Sequence, residues 1–148
     1  MKIEDKNYLS EIMHYELFHY FDFMVSDSQI EAEWNKLNPS DFIYGREEDF
    51  KRYMENNNKE QMYFISKTSM KQCCEDRAEI YSKLMTQTSE WKKELSKNVR
   101  KKFKKIKDFM KVHFIGNSNN HYFERVKNFI DWFKEIKMQY KKINMLIN

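Results

Sequence analysis

Turn-forming residues are scarce in this sequence of 148 residues, which contains two glycines, Gly45 and Gly116, and one proline, Pro39. A sandwich or barrel of short strands needs many tight turns, and most such turns depend on residues of these types. Helices joined by short connections need far fewer of them. The sequence therefore predicts an all-α fold.

The composition predicts one helical domain over residues 1–148 with its own core. Apolar residues make up 41% of the chain and aromatic residues 16%, which argues against intrinsic disorder. The cysteines, Cys73 and Cys74, are adjacent and cannot join distant segments through a disulfide bond. No run of about 18 apolar residues and no secretory signal is visible, so we expect no membrane span, and any export signal would lie outside this chain.

Apolar residues that recur at three- and four-residue spacing predict the first helices. The first helix covers residues 7–24. A capping box at Ser26–Gln29 predicts a short second helix that carries Trp34 on its apolar face. Pro39, a residue favoured at the first helical position, predicts a third helix that runs to about Ser66.

A longer apolar line runs from Met70 to Phe114 without a break in phase, which predicts one helix of about 45 residues. Gly116 can end this helix, and Asn117 or Ser118 can cap a last one. The whole pattern predicts an elongated antiparallel bundle of three long helices with two short N-terminal helices.

The spacing of the histidines argues against a metal site. His14 and His19 are five residues apart and point about 140° away from each other on a helix, so they cannot chelate as an i, i+4 pair does. His113 can approach His121 across the turn at Gly116, but no Asp, Glu or Cys nearby completes a ligand set. We therefore expect neither a metal nor a cofactor.

The sequence also lacks the motifs of common enzyme classes. No G-x-x-x-x-G-K-S/T or G-x-G-x-x-G loop is present to hold a phosphate, and the adjacent cysteines do not match the C-x-x-C redox motif. The carboxylate runs Glu47–Asp49 and Glu75–Asp76 are interpreted as solvated groups on helix surfaces. We therefore expect no enzymatic activity.

Charge is distributed unevenly along the chain. Residues 1–91 contain 11 basic and 18 acidic residues, whereas residues 92–148 contain 16 and 5. The segment from Lys92 to Lys111 contains ten basic and two acidic residues, which gives it a local charge of +8. Because the apolar residues of this segment fall on one helical stripe, its cations are predicted to line the remaining faces.

This basic surface predicts an acidic peptide, an anionic membrane or a nucleic acid as a partner. Nucleic acid is disfavoured because nine of the ten cations are lysines, whereas bidentate base recognition prefers arginine. A solvated lysine-rich face without any partner is the alternative. The candidate partner-binding residues are Lys93, Lys97, Arg100, Lys101, Lys104 and Lys105.

Five segments carry aromatic and polar residues at spacings typical of a known helical family. They are Met24–Asn38, Arg46–Met54, Tyr81–Leu95, Lys102–Phe109 and Phe123–Trp132. Together they resemble the PHIST domain, a helical module of proteins that malaria parasites export into the host red cell. The resemblance spans nearly the whole chain, from Leu9 to Tyr140.

The resemblance implies a non-enzymatic interaction module that is exported to the host red cell. Its expected partners are the acidic cytoplasmic tail of the parasite's surface adhesin or a protein of the red-cell membrane skeleton. In this pattern Trp34, Trp91 and Trp132 are core anchors between helices. A second hypothesis is a peripheral protein that the same lysines hold on an anionic membrane.

Overall fold

The computed structural model describes residues 3–54 and 62–115. Within these two ranges the chain forms no strand, so the predicted all-α class is confirmed for them. A 3-10 turn lies at Thr68–Met70, and a π-helical turn at Lys111–Ile115 ends the described chain. The α-helices of these ranges are α1 (Ile3–Val25), α2 (Ser28–Asn35), α3 (Glu47–Met54), α4 (Cys73–Thr86), α5 (Ser89–Lys93) and α6 (Lys97–Met110).

The chain divides into two compact units, Met1–Asp108 and Phe109–Asn148. The core and the candidate sites presented below lie in the first unit. The predicted last helix after Gly116 falls outside the described residues, as does Trp132. The expectation of one domain over residues 1–148 stays a prediction. The elongated bundle of three long helices is not confirmed, since two of those helices are shorter or divided in the described residues.

The core of the first unit centres on α4, which packs along α1 and also contacts α2 and the 3-10 turn. Phe18 and Phe21 of α1 are buried, and their ring centroids lie 5.0 and 6.2 Å from that of Tyr81 on α4. Aromatic pairs at these separations are favourable beyond the area that they bury. The α1–α4 pair is therefore the frame on which the other helices are placed.

The start of α2 differs from the predicted capping box. Asp27 is the N-cap, and its Oδ1 accepts a hydrogen bond of 2.8 Å from the backbone nitrogen of Ile30. Ser26 does not cap the helix, because its Oγ accepts from Arg77 of α4 instead (3.2 Å). The Ser26 hydroxyl, which the local motif predicts as a helix cap, is thus engaged in a hydrogen bond with a residue distant in the sequence.

The predicted helix from Pro39 to Ser66 is wrong. Within this range α3 covers Glu47–Met54, and the described residues 39–46 and 62–66 are not helical. The buried carboxylate of Asp49 accepts from the backbone nitrogen of Ile43 (2.9 Å) and pairs with Arg46 (2.8 Å). These bonds hold residues 40–46 in turns rather than in a helix. Arg46 also lowers the pKa of Asp49 from its ordinary value, which keeps this carboxylate charged.

The predicted single helix from Met70 to Phe114 is also wrong, because polar side chains interrupt it twice. Thr88 Oγ1 accepts from the backbone nitrogen of Trp91 (3.2 Å) and begins α5. Ser96 Oγ accepts from the backbone nitrogen of Val99 (3.1 Å) and donates to the carbonyl of Met62. Hydroxyl side chains compete in this way for backbone groups that would otherwise continue a helix.

Replacing Gly45 with alanine is expected to destabilise the turn before α3. Gly45 has φ of 78°, a region that costs an L-residue about 1–2 kcal/mol, and its backbone nitrogen donates to the carbonyl of Met70 (2.9 Å). Urea unfolding of Gly45→Ala should show a loss of this size, with Ser40→Ala in the same exposed loop as the control. Equal stability of the two variants would contradict the assigned cause.

Candidate functional site

The helix α6 has two faces of opposite character. Val99, Phe103 and Ile106 are buried on its inner side. At about 100° per residue, the basic residues that follow the opposite side form a surface that we call the basic face. Asp108 is the one acidic residue in α6. The basic face consists of Lys97, Arg100, Lys101, Lys104 and Lys107, all of them exposed.

The six predicted partner-binding residues differ in what they contact. Lys104 is bonded to Asp108 one turn later (2.7 Å), and Lys105 lies 3.6 Å from Glu33 of α2. The four others are exposed and make no ion pair with any residue of the described ranges. They are Lys93, Lys97, Arg100 and Lys101. The cations with the least internal compensation therefore cluster from the end of α5 to the first two turns of α6.

Asp76 of α4 is the centre of a buried polar cluster, which the sequence analysis missed. Its Oδ2 accepts hydrogen bonds from the indole nitrogen of Trp34 (2.9 Å), the hydroxyl of Tyr44 (2.7 Å) and Nζ of Lys102 (2.6 Å). Lys102 Nζ also lies 4.0 Å from the ring centroid of Phe64. The side chains of Asp76 and Lys102 are both 0% exposed, so the interpretation of Asp76 and Asp49 as solvated surface groups is wrong.

Burial shifts the pKa values of two members of this cluster, Lys102 and Tyr44. It lowers the pKa of Lys102 from the ordinary value of 10.5, and the Asp76 carboxylate opposes the change. Burial, followed by the charge of Asp76, raises the pKa of Tyr44, so that its phenol stays protonated and donates. The cluster joins α2, the turn before α3, α4 and α6 through one carboxylate oxygen. Three donors of the cluster are directed at Asp76 Oδ2, which indicates a structural role, whereas Asp76 Oδ1 is buried and has no hydrogen-bond partner among the described residues.

A second buried ion pair joins α1 to α4. Arg77 donates to Asp22 Oδ2 through Nε (3.1 Å) and Nη2 (2.7 Å), and both side chains are almost completely buried. Nη1 of Arg77 lies 2.9 Å from Cys73 Sγ. Burial alone would lower the pKa of Arg77, but the bonds to Asp22 and the surrounding negative groups raise it. This pair fixes the register of α1 against α4.

One turn away, the same two helices bring three different metal-ligating side chains together. Ligand atoms of His19, Cys74 and Glu75 all lie within 4.8 Å of one another, and His19 Nε2 is 3.7 Å from Glu75 Oε1. All three side chains are half-buried. Sequence reasoning paired His19 only with His14 on the same helix, so it did not anticipate a group that His19 shares with residues of α4.

The predicted tryptophan anchors lie in different environments. Trp34 is 1% exposed and is held by Asp76 and Lys102. Trp91 is half-buried, and its ring contacts that of Phe103 edge-on with centroids 6.4 Å apart.

A shallow surface cleft in the described part of the chain lies beside α3. It is lined by charged groups, of which Arg46 pairs with Asp49 and Arg52 with Asp41. Because both arginines are already paired with aspartates of the cleft, few of its charges are available to a ligand.

None of the helices in the described residues combines the length and the apolar character that crossing a membrane requires. Comparison of the chain with protein-family models, with curated proteins and with solved structures finds no match.

Proposed function

We propose that this chain is a non-enzymatic interaction module that binds an acidic segment of a partner protein through the basic face of α6. The observation that supports the proposal is the difference in polarity between the two sides of this helix. Its inner side is buried and apolar, and its outer side carries five exposed cations with Asp108 as the acidic residue of the helix. Such a surface attracts a chain of carboxylates.

The geometry of the basic face favours an extended or helical acidic peptide. Residues three and four apart on a helix lie about 5–6 Å from each other at Cβ, so neighbouring cations can engage successive carboxylates of a partner. Each exposed pair contributes little and is screened by salt. We therefore expect an affinity in the micromolar range that falls steeply as the ionic strength rises.

An exposed apolar strip on α1 also favours a docking role. Tyr8, Ile12, Tyr20 and Phe23 lie within about 120° of one another around the helix, and Phe23 is 88% exposed. Exposed apolar side chains on one side of a helix are often found at interaction sites.

The resemblance to PHIST domains leads to a more specific proposal. The spaced aromatic segments and the helical character of the described residues support membership of this family, and with it export to the host red cell. The acidic partner would then be the cytoplasmic tail of a parasite surface adhesin or a protein of the red-cell membrane skeleton. Neither enzymatic activity nor nucleic-acid binding is part of this proposal.

Charge reversal on the basic face tests the interaction. The variant Lys97→Glu/Lys101→Glu is expected to bind a Glu- and Asp-rich peptide roughly 10-fold or more weakly than the unmodified chain, because two attractive contacts become repulsive. Lys97 begins α6, where the helix dipole favours glutamate, and the side chain of Lys101 is exposed, so the helix itself should persist. Calorimetric titration at low and high salt measures the effect.

The matched control is Lys51→Glu/Lys71→Glu, which changes the net charge equally at exposed lysines away from α6. This control should retain most of the binding. Equal loss in both variants would reduce the effect to net charge and contradict the proposed face. Binding to vesicles that contain phosphatidylserine, with none to the peptide, would favour the anionic membrane instead.

A further inference from the structure

Three side chains of different chemistry meet where the N-terminal turn of α4 faces α1. His19 comes from α1, and Cys74 and Glu75 come from the first residues of α4. Imidazole, thiolate and carboxylate are the three ligand types that Zn²⁺ takes in proteins. None of the three side chains is needed for the basic face of α6.

The separations match a tetrahedral site with small adjustments. At ordinary zinc–ligand bond lengths, neighbouring ligand atoms lie about 3.3–3.6 Å apart. His19 Nε2 and Glu75 Oε1 are already 3.7 Å apart, which is longer than a hydrogen bond between them would be. The three ligand atoms lie within 4.8 Å of one another. Side-chain rotations that move these atoms by about 1 Å would bring them to the separations of a zinc site.

The surroundings hold these ligands in place. The ring of Tyr15 meets His19 edge-on with centroids 4.7 Å apart, which restricts the imidazole. Asp22 and Arg77 lie three residues after His19 and Cys74 respectively, and their buried ion pair fixes the two helices in the register that brings the ligands together.

We propose that His19, Cys74 and Glu75 form a zinc-binding site that joins α1 to α4. Three protein ligands leave the fourth tetrahedral position for water or for a ligand from a partner, as in other open zinc sites. Metal bound there would connect the two helices of the core and raise the thermal stability of the folded chain.

Zinc titration of the full chain under reducing conditions tests the site. We expect one equivalent of Zn²⁺ to bind in competition with a chromophoric chelator, and Co²⁺ to give a sulfur-to-cobalt charge-transfer band. His19→Gln and Cys74→Ser should each weaken Zn²⁺ binding by about 100-fold or more, because losing even an outer partner of a zinc ligand costs about 10- to 100-fold. Zn²⁺ should raise the Tm of the unmodified chain and not that of either variant.

The neighbouring residue Cys73 offers a matched control. Its Sγ accepts from Nη1 of Arg77 (2.9 Å) and is not one of the three grouped ligand atoms, so Cys73→Ser should bind Zn²⁺ as the unmodified chain does. His113→Gln is the control for the histidine, since His113 lies in the π-helical turn after α6. Equal loss of zinc in Cys73→Ser and Cys74→Ser would overturn the proposal. So would a Co²⁺ complex without the sulfur band, or an unchanged affinity in His19→Gln.

Discussion

Asp76→Ala is expected to lower the free energy of unfolding by about 3–5 kcal/mol, which is the usual cost of leaving a buried charge without its partner. The substitution removes the acceptor shared by Lys102, Trp34 and Tyr44, all of which direct their donors at Asp76 Oδ2. A loss of this size is a large part of the stability of an ordinary domain. Urea unfolding followed by circular dichroism measures it.

A double variant separates the charge from the packing. In Asp76→Asn/Lys102→Met the buried charges disappear together, while the amide oxygen can still accept from Trp34 and Tyr44. Methionine keeps much of the contact that Lys102 makes with Phe64. We expect the double variant to recover most of the stability that Asp76→Asn or Lys102→Met loses alone, because buried ion pairs are often replaceable as a unit. Additive losses would show that the two residues act independently.

The positions of these buried charges follow the helical pattern, although their identities do not. Lys102 lies three residues after Val99 and four before Ile106, and both of those residues are buried. Asp76 stands in the same relation to Cys73 and Ile80 of α4. Residues at these spacings share a helix face, so the sequence places both charges toward the core. The cluster was missed because charged residues were assumed to be exposed. That Asp76 and Lys102 contact each other is visible only in the folded chain.

Helix ends were harder to anticipate than helix content. The apolar line from Met70 to Phe114 keeps its phase through Thr88 and Ser96, so periodicity alone predicts one helix. The break at Ser96 depends on a bond to Met62, a residue distant in the sequence. A local pattern can indicate that Ser96 is able to cap a helix. It cannot show that the carbonyl of Met62 lies close enough to accept a hydrogen bond from the same hydroxyl.

The candidate surfaces divide in the same way. Four of the five residues of the basic face were among the predicted candidates, because their positions follow from one helix and its composition; they are Lys97, Arg100, Lys101 and Lys104. The group formed by His19, Cys74 and Glu75 was not, because its members lie on two helices whose pairing the sequence alone does not reveal. Sites built on one element are thus accessible to pattern analysis, whereas sites shared by packed elements require the fold.

Asp22→Asn is expected to destabilise the chain by about 3–5 kcal/mol, although it changes the shape of the side chain very little. Asparagine leaves the buried guanidinium of Arg77 without its counter-charge between α1 and α4. Asp22→Asn/Arg77→Met removes both charges and should recover most of this loss. Urea unfolding midpoints and slopes for the single and double variants give the coupling energy.

The ion pair of Lys83 with Glu11 is a matched control, because it joins the same two helices at 2.8 Å but is partly exposed. Lys83→Met should cost about 1 kcal/mol or less, since water solvates the remaining carboxylate and screens the pair. The shortest N–O distances of the two pairs are similar, but Arg77 makes two bonds to a buried carboxylate and Lys83 makes one bond to a partly exposed carboxylate. We therefore expect the larger loss for Asp22→Asn, chiefly from burial of the charge that remains. Equal losses would contradict the assigned role of charge burial in this contact.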